Sequence, residues 1–252
     1  MMGRSLDGKV AIVTGTSRGI GKAIVELFAE RGALVYANAR RPGCIDEFCA
    51  TISKEYSTTV IPVYFDITDS RAISSAFSRI WKEQRHLDVL VNNAGITELE
   101  LIGMIRQETM ERLFQTNVFG PIQMLQYAAK LMKKLGSGSI INMSSIVGVE
   151  GSKGELVYSG TKGAIISITK SAAKELAPDH IRVNAIAPGY ADTEMFRNAA
   201  GSEEMIESHI KQVGFGRLAS PLDIAKACAF FASDDAYFVT GQVLGVNGST
   251  II

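Results

Sequence analysis

A tyrosine and a lysine, Tyr158 and Lys162, lie four positions apart in a segment with a helical pattern. Residues at this spacing share one helix face, so the phenol and the ammonium group lie side by side. The pKa of a free tyrosine is about 10, and a nearby cation favours the phenolate. The pair is therefore a candidate acid or base, although a half-buried tyrosine beside a solvated lysine gives the same spacing.

A glycine-rich turn near the N-terminus joins a strand-like segment to a helix-like one. The apolar run 9–14 is typical of a buried strand, and a helix is predicted over 19–31. Between them stand Gly15-Thr16-Ser17-Arg18-Gly19-Ile20-Gly21. Such glycines let backbone N–H groups approach a pyrophosphate at the positive end of a helix. The spacing is not Gly-x-Gly-x-x-Gly, so the turn alone indicates either phosphate binding or a structural role.

A second buried strand, predicted over 88–92, runs into Asn93, Ala94 and Gly95. The carboxyl ends of parallel strands line the ligand crevice of an open α/β sheet. These residues either contact a cofactor or stabilise a turn, since asparagine is common in turns.

Strand-like and helix-like segments alternate along the chain, without a repeat or a linker. The predicted strands are 9–14, 34–38, 60–65, 88–92, 139–144, 181–187 and 243–246, and the predicted helices include 19–31, 69–85, 108–134, 156–177 and 221–232. This order predicts an α/β fold, in which one doubly wound parallel sheet of about seven strands carries helices on both faces. We expect a single Rossmann domain over 1–252. The segment 190–216 lacks a strand pattern and is either a flap over the substrate or a surface helix pair.

The overall composition is that of a soluble enzyme. Lys+Arg and Asp+Glu both total 26, so the formal net charge is zero and gives no electrostatic basis for binding nucleic acid or an anionic membrane. There is no signal-peptide pattern and no apolar run of about 18 residues, the length that suggests a membrane span. Cys44, Cys49 and Cys228 lack metal or redox spacing. We predict a cytoplasmic protein with no metal site, no nucleic-acid partner and no membrane partner.

Taken together, the motifs resemble those of the short-chain dehydrogenase/reductases over essentially the whole chain. The matching residues are Thr14-Gly15-x-x-x-Gly19-Ile20-Gly21, Asp66, Asn92-Asn93-Ala94-Gly95, Asn117, Ser145, Tyr158-x-x-x-Lys162 and Pro188-Gly189. Within the family, the chain is similar to the 3-oxoacyl-[acyl-carrier-protein] reductase branch. The segments that carry this closer similarity are 93–97, 216–218 and 240–248.

The resemblance implies hydride transfer from a nicotinamide to a substrate carbonyl. Tyr158 would protonate the carbonyl oxygen, and Ser145 would hydrogen-bond to it. Lys162 would hold the nicotinamide ribose and lower the pKa of Tyr158, and Asn117 would belong to a proton relay. The implied cofactor-binding residues are Gly15, Ser17, Arg18, Gly19, Ile20, Gly21, Arg40, Asp66, Ile67, Asn93, Ala94, Gly95, Tyr158, Lys162, Pro188, Gly189 and Thr193. The family also implies a homo-oligomer, a tetramer or a dimer.

The end of the second predicted strand indicates which nicotinamide cofactor is used. An NAD site usually carries an acid there, about 20 residues after the glycines, to bind the ribose 2′-OH. Here the segment reads Asn38-Ala39-Arg40-Arg41, without an acid. Arginine provides the multidentate cationic donors that a 2′-phosphate needs. We therefore predict NADP(H), with Arg40 and Arg18 as phosphate contacts, the alternative being that both are solvated surface arginines.

The substrate is less well defined by the sequence. The carrier-protein reductases dock an acidic partner on arginines. The comparable stretches here carry Lys133, Lys134 and Lys174, which keep the charge but lack the bidentate guanidinium. Glu155 stands where those reductases tend to carry glutamine, and Glu98 and Glu100 add acid near the predicted mouth of the site. Such a carboxylate cluster would disfavour an anionic thioester carrier and suit a hydroxylated or cationic small molecule. The alternative is that Glu98 and Glu100 are solvated loop charges.

The predicted function is the reduction of a 3-oxoacyl thioester with NADP(H), with acyl carrier protein as a candidate partner. The alternative substrate is a polar small molecule, namely a sugar, polyol or natural-product ketone. A further alternative is a regulatory protein that binds the cofactor without catalysis.

Overall fold

The computed structural model describes residues 5–250, and its strands form one parallel sheet in the order β3-β2-β1-β4-β5-β6-β7. The strands are β1 (Val10–Val13), β2 (Leu34–Ala39), β3 (Val60–Tyr64), β4 (Val89–Asn92), β5 (Gly138–Met143), β6 (Ile181–Pro188) and β7 (Val243–Val246). The predicted doubly wound Rossmann fold is confirmed, and every predicted strand end lies within one residue of the observed end. The ends of the predicted 1–252 domain, residues 1–4 and 251–252, lie outside the described residues.

Helices cover both faces of this sheet. They are α1 (Gly19–Glu30), α2 (Asp46–Tyr56), α3 (Ser70–Gln84), α4 (Gln107–Phe114), α5 (Gly120–Met132), α6 (Val147–Glu150), α7 (Leu156–Leu176), α8 (Glu194–Ala200), α9 (Glu203–Lys211) and α10 (Pro221–Ala232). On one face, Phe28 of α1 and Ile224 of α10 belong to one buried cluster. On the other face, Phe77, Met124 and Leu176 bring α3, α5 and α7 into a second cluster. Burying one such side chain contributes about 1.5–3 kcal/mol.

Two features of the helices differ from the prediction. The helix α2 was not predicted, because it buries only Cys49 and Ile52 and its apolar pattern is correspondingly weak. The helix predicted over 108–134 is interrupted by a π-helical turn, Gln115–Phe119, which separates α4 from α5. Such π turns occur frequently at functional sites.

A capping box begins α10. The Ser220 hydroxyl accepts a hydrogen bond from the Asp223 N–H at 3.2 Å, and the Asp223 carboxylate accepts one from the Ser220 N–H at 2.8 Å. Two backbone donors that the helix leaves unpaired are satisfied in this way.

Within residues 5–250, no helix is both long enough and apolar enough to span a bilayer. The same residues contain no group of three or more His, Cys, Asp or Glu side chains arranged to hold a metal ion.

Candidate functional site

Several of the predicted site residues follow the carboxyl ends of β1, β4, β5 and β6, which are neighbours in the sheet. Parallel pairing places β1 beside β4, β4 beside β5, and β5 beside β6. The strand order reverses between β1 and β4, and such a reversal opens a ligand crevice at the carboxyl ends of the strands. The glycine loop follows β1, Asn93 follows β4, and Ser145 follows β5. The sheet therefore brings together motifs that are far apart in sequence.

The glycine loop is packed so closely that its glycines cannot be replaced without displacement. A Cβ on Gly21 would lie 2.2 Å from the Gly15 carbonyl oxygen, and a Cβ on Gly15 would lie 2.8 Å from the Ala94 Cα. Gly15 and Gly19 also have positive φ angles of 70° and 56°, which favour glycine. The backbone of the loop is thus held directly against the end of β4.

Asn93 ties this loop to the sheet. Its side-chain amide donates to the carbonyl oxygens of Thr14 at 2.9 Å and Gly15 at 3.1 Å. The Thr14 hydroxyl in turn accepts from the N–H groups of Asn93 and Ala94, both at 3.0 Å. Asn93 therefore fixes the loop, and the direct cofactor contact implied by the resemblance stays a prediction. Thr14 has the matching role of fixing the Asn93-Ala94 turn.

The N-terminus of α1 has the features of a phosphate site. Arg18 is the N-cap residue, and its side chain makes no capping hydrogen bond. The first N–H groups of a helix lack partners within the helix and carry its positive dipole end. Ser17 and Arg18 are exposed at the tip of the loop, and Gly19 and Ile20 form the first turn of the helix. The close-packed glycines and these free donors fit a dinucleotide pyrophosphate.

The carboxyl end of β2 lies beside the same loop. The Asn38 carbonyl oxygen accepts from the Thr16 N–H at 2.9 Å and from the Thr16 hydroxyl at 3.0 Å. Arg40 follows two residues later and is exposed. Over residues 5–250, Arg40 takes part in no ion pair, whereas Arg18 donates a hydrogen bond to the carboxylate of Glu194. The presence of two arginines and the absence of an acid directly after β2 fit a ribose that carries a 2′-phosphate.

Asp66 and Ile67, the implied adenine contacts, follow β3. The Asp66 carboxylate accepts from the Thr68 N–H at 2.9 Å and from its hydroxyl at 2.8 Å, which closes the turn before α3. Ile67 is buried, and a Cβ on Gly120 would lie 2.8 Å from its carbonyl oxygen. Asp66 therefore has a structural task besides the implied binding role.

Asn117 lies in the π turn and is almost completely buried. Its side chain accepts from the Ile96 N–H at 2.9 Å and donates to the Ile96 carbonyl at 2.8 Å. It also donates to the Thr161 hydroxyl at 3.2 Å, and that hydroxyl donates to the Tyr158 carbonyl at 2.7 Å. Asn117 thus connects the loop after β4 to the helix that carries Tyr158. The sequence alone gave no role to Thr161.

Tyr158 and Lys162 both lie on α7, as the spacing predicts, and Ser145 lies at the end of β5. The buried Lys162 ammonium donates to the Met143 carbonyl at 2.9 Å and lies 5.6 Å from the centre of the Tyr158 ring. The Ser144 hydroxyl donates to the Lys162 carbonyl at 2.9 Å, so the adjacent serine fastens α7 to β5. Tyr158 and Lys162 therefore lie beside each other on α7, against the end of β5 from which Ser145 follows.

The electrostatics of Tyr158 correct one expectation. Burial raises the pKa of Tyr158, the Glu155 carboxylate raises it further, and a hydrogen bond with Ser145 lowers it. Burial also lowers the pKa of Lys162 to about 8. The pKa of Tyr158 is therefore raised and not lowered as expected, because burial is the largest cause of the shift and the Ser145 hydrogen bond does not offset it. Tyr158 is a neutral phenol near pH 7, the form that can donate a proton.

The expected carboxylate cluster at the mouth is also corrected. Glu100 accepts from Arg106 Nε at 2.6 Å and from the Thr109 hydroxyl at 3.0 Å. Glu98 accepts from Arg112 Nη2 at 2.6 Å. Both carboxylates are neutralised by arginines, one at the N-cap of α4 and one in its last turn. Glu98 and Glu100 therefore give no reason to exclude an anionic substrate.

Glu155 differs from these two acids because it lies close to the phenols of the site. Its carboxylate raises the pKa of both Tyr158 and Tyr190. It precedes α7 as the N-cap residue and makes no side-chain capping bond. Of the three acids singled out by the sequence, Glu155 is the one that acts on the candidate proton donor.

The segment 190–216 contains the two helices α8 and α9. Thr193 caps α8 by accepting from the Phe196 N–H at 3.2 Å. The Tyr190 ring lies 5.5 Å from the Phe196 ring and 4.5 Å from the His209 ring, measured between centres. This aromatic group links the beginning of the segment to both helices. Its movement as a flap stays a prediction.

Pro188 and Gly189 hold the base of that segment against the sheet. The Pro188 carbonyl accepts from the Ile146 N–H at 2.9 Å, and the Gly189 N–H donates to Val246 at 3.1 Å. A Cβ on Gly189 would lie 2.9 Å from the Asn247 Cα. Further along, the Thr193 Cγ2 would lie 3.2 Å from a Cβ on Gly19. Thr193 is therefore beside the glycine loop, and its contact with the cofactor stays a prediction.

Comparison with known proteins extends these observations. The family model described as "Enoyl-(Acyl carrier protein) reductase" matches residues 15–249. A 3-oxoacyl-[acyl-carrier-protein] reductase of Thermotoga maritima is 36% identical over 247 residues, which cover 98% of this chain and 99% of that protein. A 3alpha-hydroxysteroid dehydrogenase of Mediterraneibacter gnavus is 38% identical over 245 residues, covering 97% of each. Among solved structures, YwfH, an NADPH-dependent reductase involved in bacilysin biosynthesis, superposes with a TM-score of 0.92 at 26% identity, covering 96% of this chain and 98% of that one.

Proposed function

This chain belongs to the short-chain dehydrogenase/reductase family and is an oxidoreductase, and on that basis we propose that it reduces a 3-oxoacyl thioester to the 3-hydroxyacyl product with NADPH. The observation that carries the proposal is the placement of Tyr158 beside Lys162 on α7, with Ser145, which follows β5, as the hydrogen-bond partner of Tyr158. Family membership argues against the alternative of a regulatory protein without catalysis.

The proposed reaction uses the side chains in a fixed order. When bound, NADPH supplies a hydride to the substrate carbonyl carbon. Tyr158 donates its phenolic proton to the carbonyl oxygen as negative charge develops there. The Ser145 hydroxyl donates a hydrogen bond to the same oxygen and stabilises that charge.

Lys162 and Asn117 would support the proton transfer. With a pKa of about 8, Lys162 is mainly an ammonium at neutral pH and stabilises the phenolate that Tyr158 becomes. It would also bind the nicotinamide ribose hydroxyls. The hydrogen bonds of Asn117 to Ile96 and Thr161 fit a place in the relay that returns a proton to Tyr158.

The cofactor proposal rests on Arg18 and Arg40 and on the lack of an acid after β2. Replacing Arg40 with alanine should weaken NADPH binding about 10- to 100-fold, the effect of losing one hydrogen-bonded charge contact. NADH, which has a hydroxyl in place of the 2′-phosphate, should bind with an unchanged Kd. Fluorescence titrations with both nucleotides measure the two constants. Equal losses for NADPH and NADH would argue against a phosphate contact at Arg40.

The thioester proposal is supported by the carrier-protein reductase relatives and by the neutralisation of Glu98 and Glu100. Docking of acyl carrier protein, the proposed partner, would depend on lysines. Lys133 is paired with Asp179 at 2.9 Å, and Lys134 lies over the Trp81 ring at 4.1 Å. The exposed Lys174 is the remaining cation of that set. We also propose a cytoplasmic homo-oligomer, a tetramer or a dimer, formed through α5 and α7.

Glu155 favours the second candidate substrate, a polar ketone of the sugar, polyol or natural-product class. A carboxylate beside the proton donor could accept a hydrogen bond from a substrate hydroxyl or attract a cation. The experiment that separates the two substrates follows the oxidation of NADPH with an acetoacetyl thioester and with a panel of polar ketones. Rapid turnover of the thioester supports the first candidate. Turnover confined to a polar ketone supports the second, and no turnover with any ketone contradicts both.

Replacing Glu155 with glutamine should shift the pH dependence of the reaction. The Glu155 carboxylate raises the pKa of Tyr158, so its removal lowers that pKa. Alcohol oxidation needs the phenolate and increases as pH rises through this pKa, so the variant should reach a given rate at lower pH. Initial rates of alcohol oxidation across pH measure the shift. Glu150→Gln, an exposed acid nearby in sequence, is the control, and an unshifted Glu155→Gln profile contradicts the assignment.

A further inference from the structure

The glycine loop and the segment 190–216 are joined by an ion pair between residues 176 positions apart. Arg18 Nη1 donates to the Glu194 carboxylate, and both side chains are a little more than half exposed, at 57% and 56%. The residues that follow Arg18 and precede Glu194 are also close to each other, because a Cβ on Gly19 would lie 3.2 Å from Thr193 Cγ2. Arg18 therefore has an anionic partner supplied by the first residue of α8.

The same arginine is one of the two that are proposed to contact the extra phosphate of NADP(H). Thr16 fastens the glycine loop to Asn38 through two hydrogen bonds, so Arg18 and Arg40 border the same edge of the sheet. Arg40 is unpaired within the described part of the chain, but Arg18 is already bound to a carboxylate. A 2′-phosphate that binds Arg18 must displace that carboxylate or approach its negative charge. The 2′-hydroxyl of NAD(H) is uncharged, so NAD(H) can bind without displacing the Glu194 carboxylate and without repulsion from it.

We propose that Glu194 is a cofactor-specificity residue, which competes with the 2′-phosphate of NADP(H) for Arg18 and so reduces the preference of the enzyme for NADP(H) over NAD(H). The inference rests on the proposed function, because it concerns the same nucleotide site. It adds an opposing group to the two arginines that favour the phosphate. Arg40 and Arg18 then strengthen the binding of NADP(H), and competition from Glu194 weakens it.

The test is a pair of binding titrations on the full chain, without substrate, for the wild type and Glu194→Gln. Glutamine keeps the size of the side chain and removes its charge. The Kd for NADPH should fall about three- to fivefold, which is the upper range for an exposed ion pair, and the Kd for NADH should stay unchanged. The difference should shrink at high salt, because exposed charges are screened.

Two controls isolate the contact with Arg18. Glu203→Gln removes the same charge from the same segment, where Glu203 pairs with Arg197 at 3.5 Å, and should leave both nucleotide affinities unchanged. In an Arg18→Gln background, Glu194→Gln should no longer tighten NADPH binding, because the group for which they compete is gone.

Several results would overturn the inference. Glu194→Gln could leave NADPH binding unchanged, tighten both nucleotides equally, or act equally in the Arg18→Gln background. If the wild type still binds NADPH more tightly than NADH in these cases, the proposed role of Glu194 is wrong but the proposed cofactor stands. If the wild type binds NADPH no more tightly than NADH, the proposed cofactor fails, and the role of Glu194 fails with it.

Discussion

Replacing Tyr158 with phenylalanine is expected to lower kcat by at least about 100-fold, the lower end for the loss of a general acid. The phenol keeps its proton at neutral pH, since its pKa is raised by burial and by Glu155. Phenylalanine keeps the ring next to Lys162 but has no proton to donate. Binding of NADPH and the unfolding temperature should change little.

Steady-state rates of NADPH oxidation, with parallel NADPH titrations, measure this effect. The matched control is Tyr190→Phe, because Tyr190 is a second phenol near Glu155 whose hydroxyl donates to Gln212 at 3.0 Å. Loss of the Tyr190 hydroxyl should lower kcat much less than loss of the Tyr158 hydroxyl. A Tyr158→Phe enzyme that turns over at nearly the wild-type rate would remove Tyr158 from the mechanism.

The second large effect is expected for Gly21→Ala in the glycine loop. A Cβ there would lie 2.2 Å from the Gly15 carbonyl oxygen and 2.5 Å from the Asn93 side-chain nitrogen. Neither neighbour can retreat freely, because Asn93 holds the loop through its bonds to Thr14 and Gly15. We expect a destabilisation of about 1–3 kcal/mol or more, and loss of measurable NADPH binding because the phosphate loop is displaced.

Thermal unfolding and nucleotide titration measure the two consequences. Helix propensity alone predicts the opposite sign, since alanine is favoured over glycine within a helix by about 1 kcal/mol. Gly160→Ala supplies the control, because Gly160 lies in α7 and a Cβ there meets nothing within 4 Å. That variant should be as stable as the wild type or more so. A Gly21→Ala protein with unchanged stability and NADPH affinity contradicts the close packing of the loop.

The sequence predicts the sheet well because buried parallel strands are nearly continuous apolar runs. Val10–Val13 and Val89–Asn92 are buried at every position, so their pattern differs clearly from that of the surrounding helices. The helix α2 escaped prediction because Cys49 and Ile52 give too short an apolar pattern. The π turn at Gln115–Phe119 was not predicted, because it adds one residue to a helical turn without changing the helix-forming character of the sequence.

The candidate site was predictable as a set of residues but not as a set of charges. Spacing places Tyr158 and Lys162 on one helix, but it does not say that the Lys162 ammonium faces Met143. Likewise, the acids at Glu98 and Glu100 are visible in the sequence, but their pairing with arginines depends on the path of a loop. The partner of Arg18 is 176 residues away and could be identified only from the fold.

The central claim is that this oxidoreductase transfers a hydride from NADPH to a ketone while Tyr158 supplies the proton. The most direct measurement uses NADPH deuterated at the transferred position, with an acetoacetyl thioester and a panel of polar ketones as acceptors. The product is then examined for deuterium by mass spectrometry. We predict one deuterium on the new carbinol carbon with the wild type and almost none with Tyr158→Phe in the same time. No transfer to any ketone, or equal transfer by Tyr158→Phe, would contradict the claim.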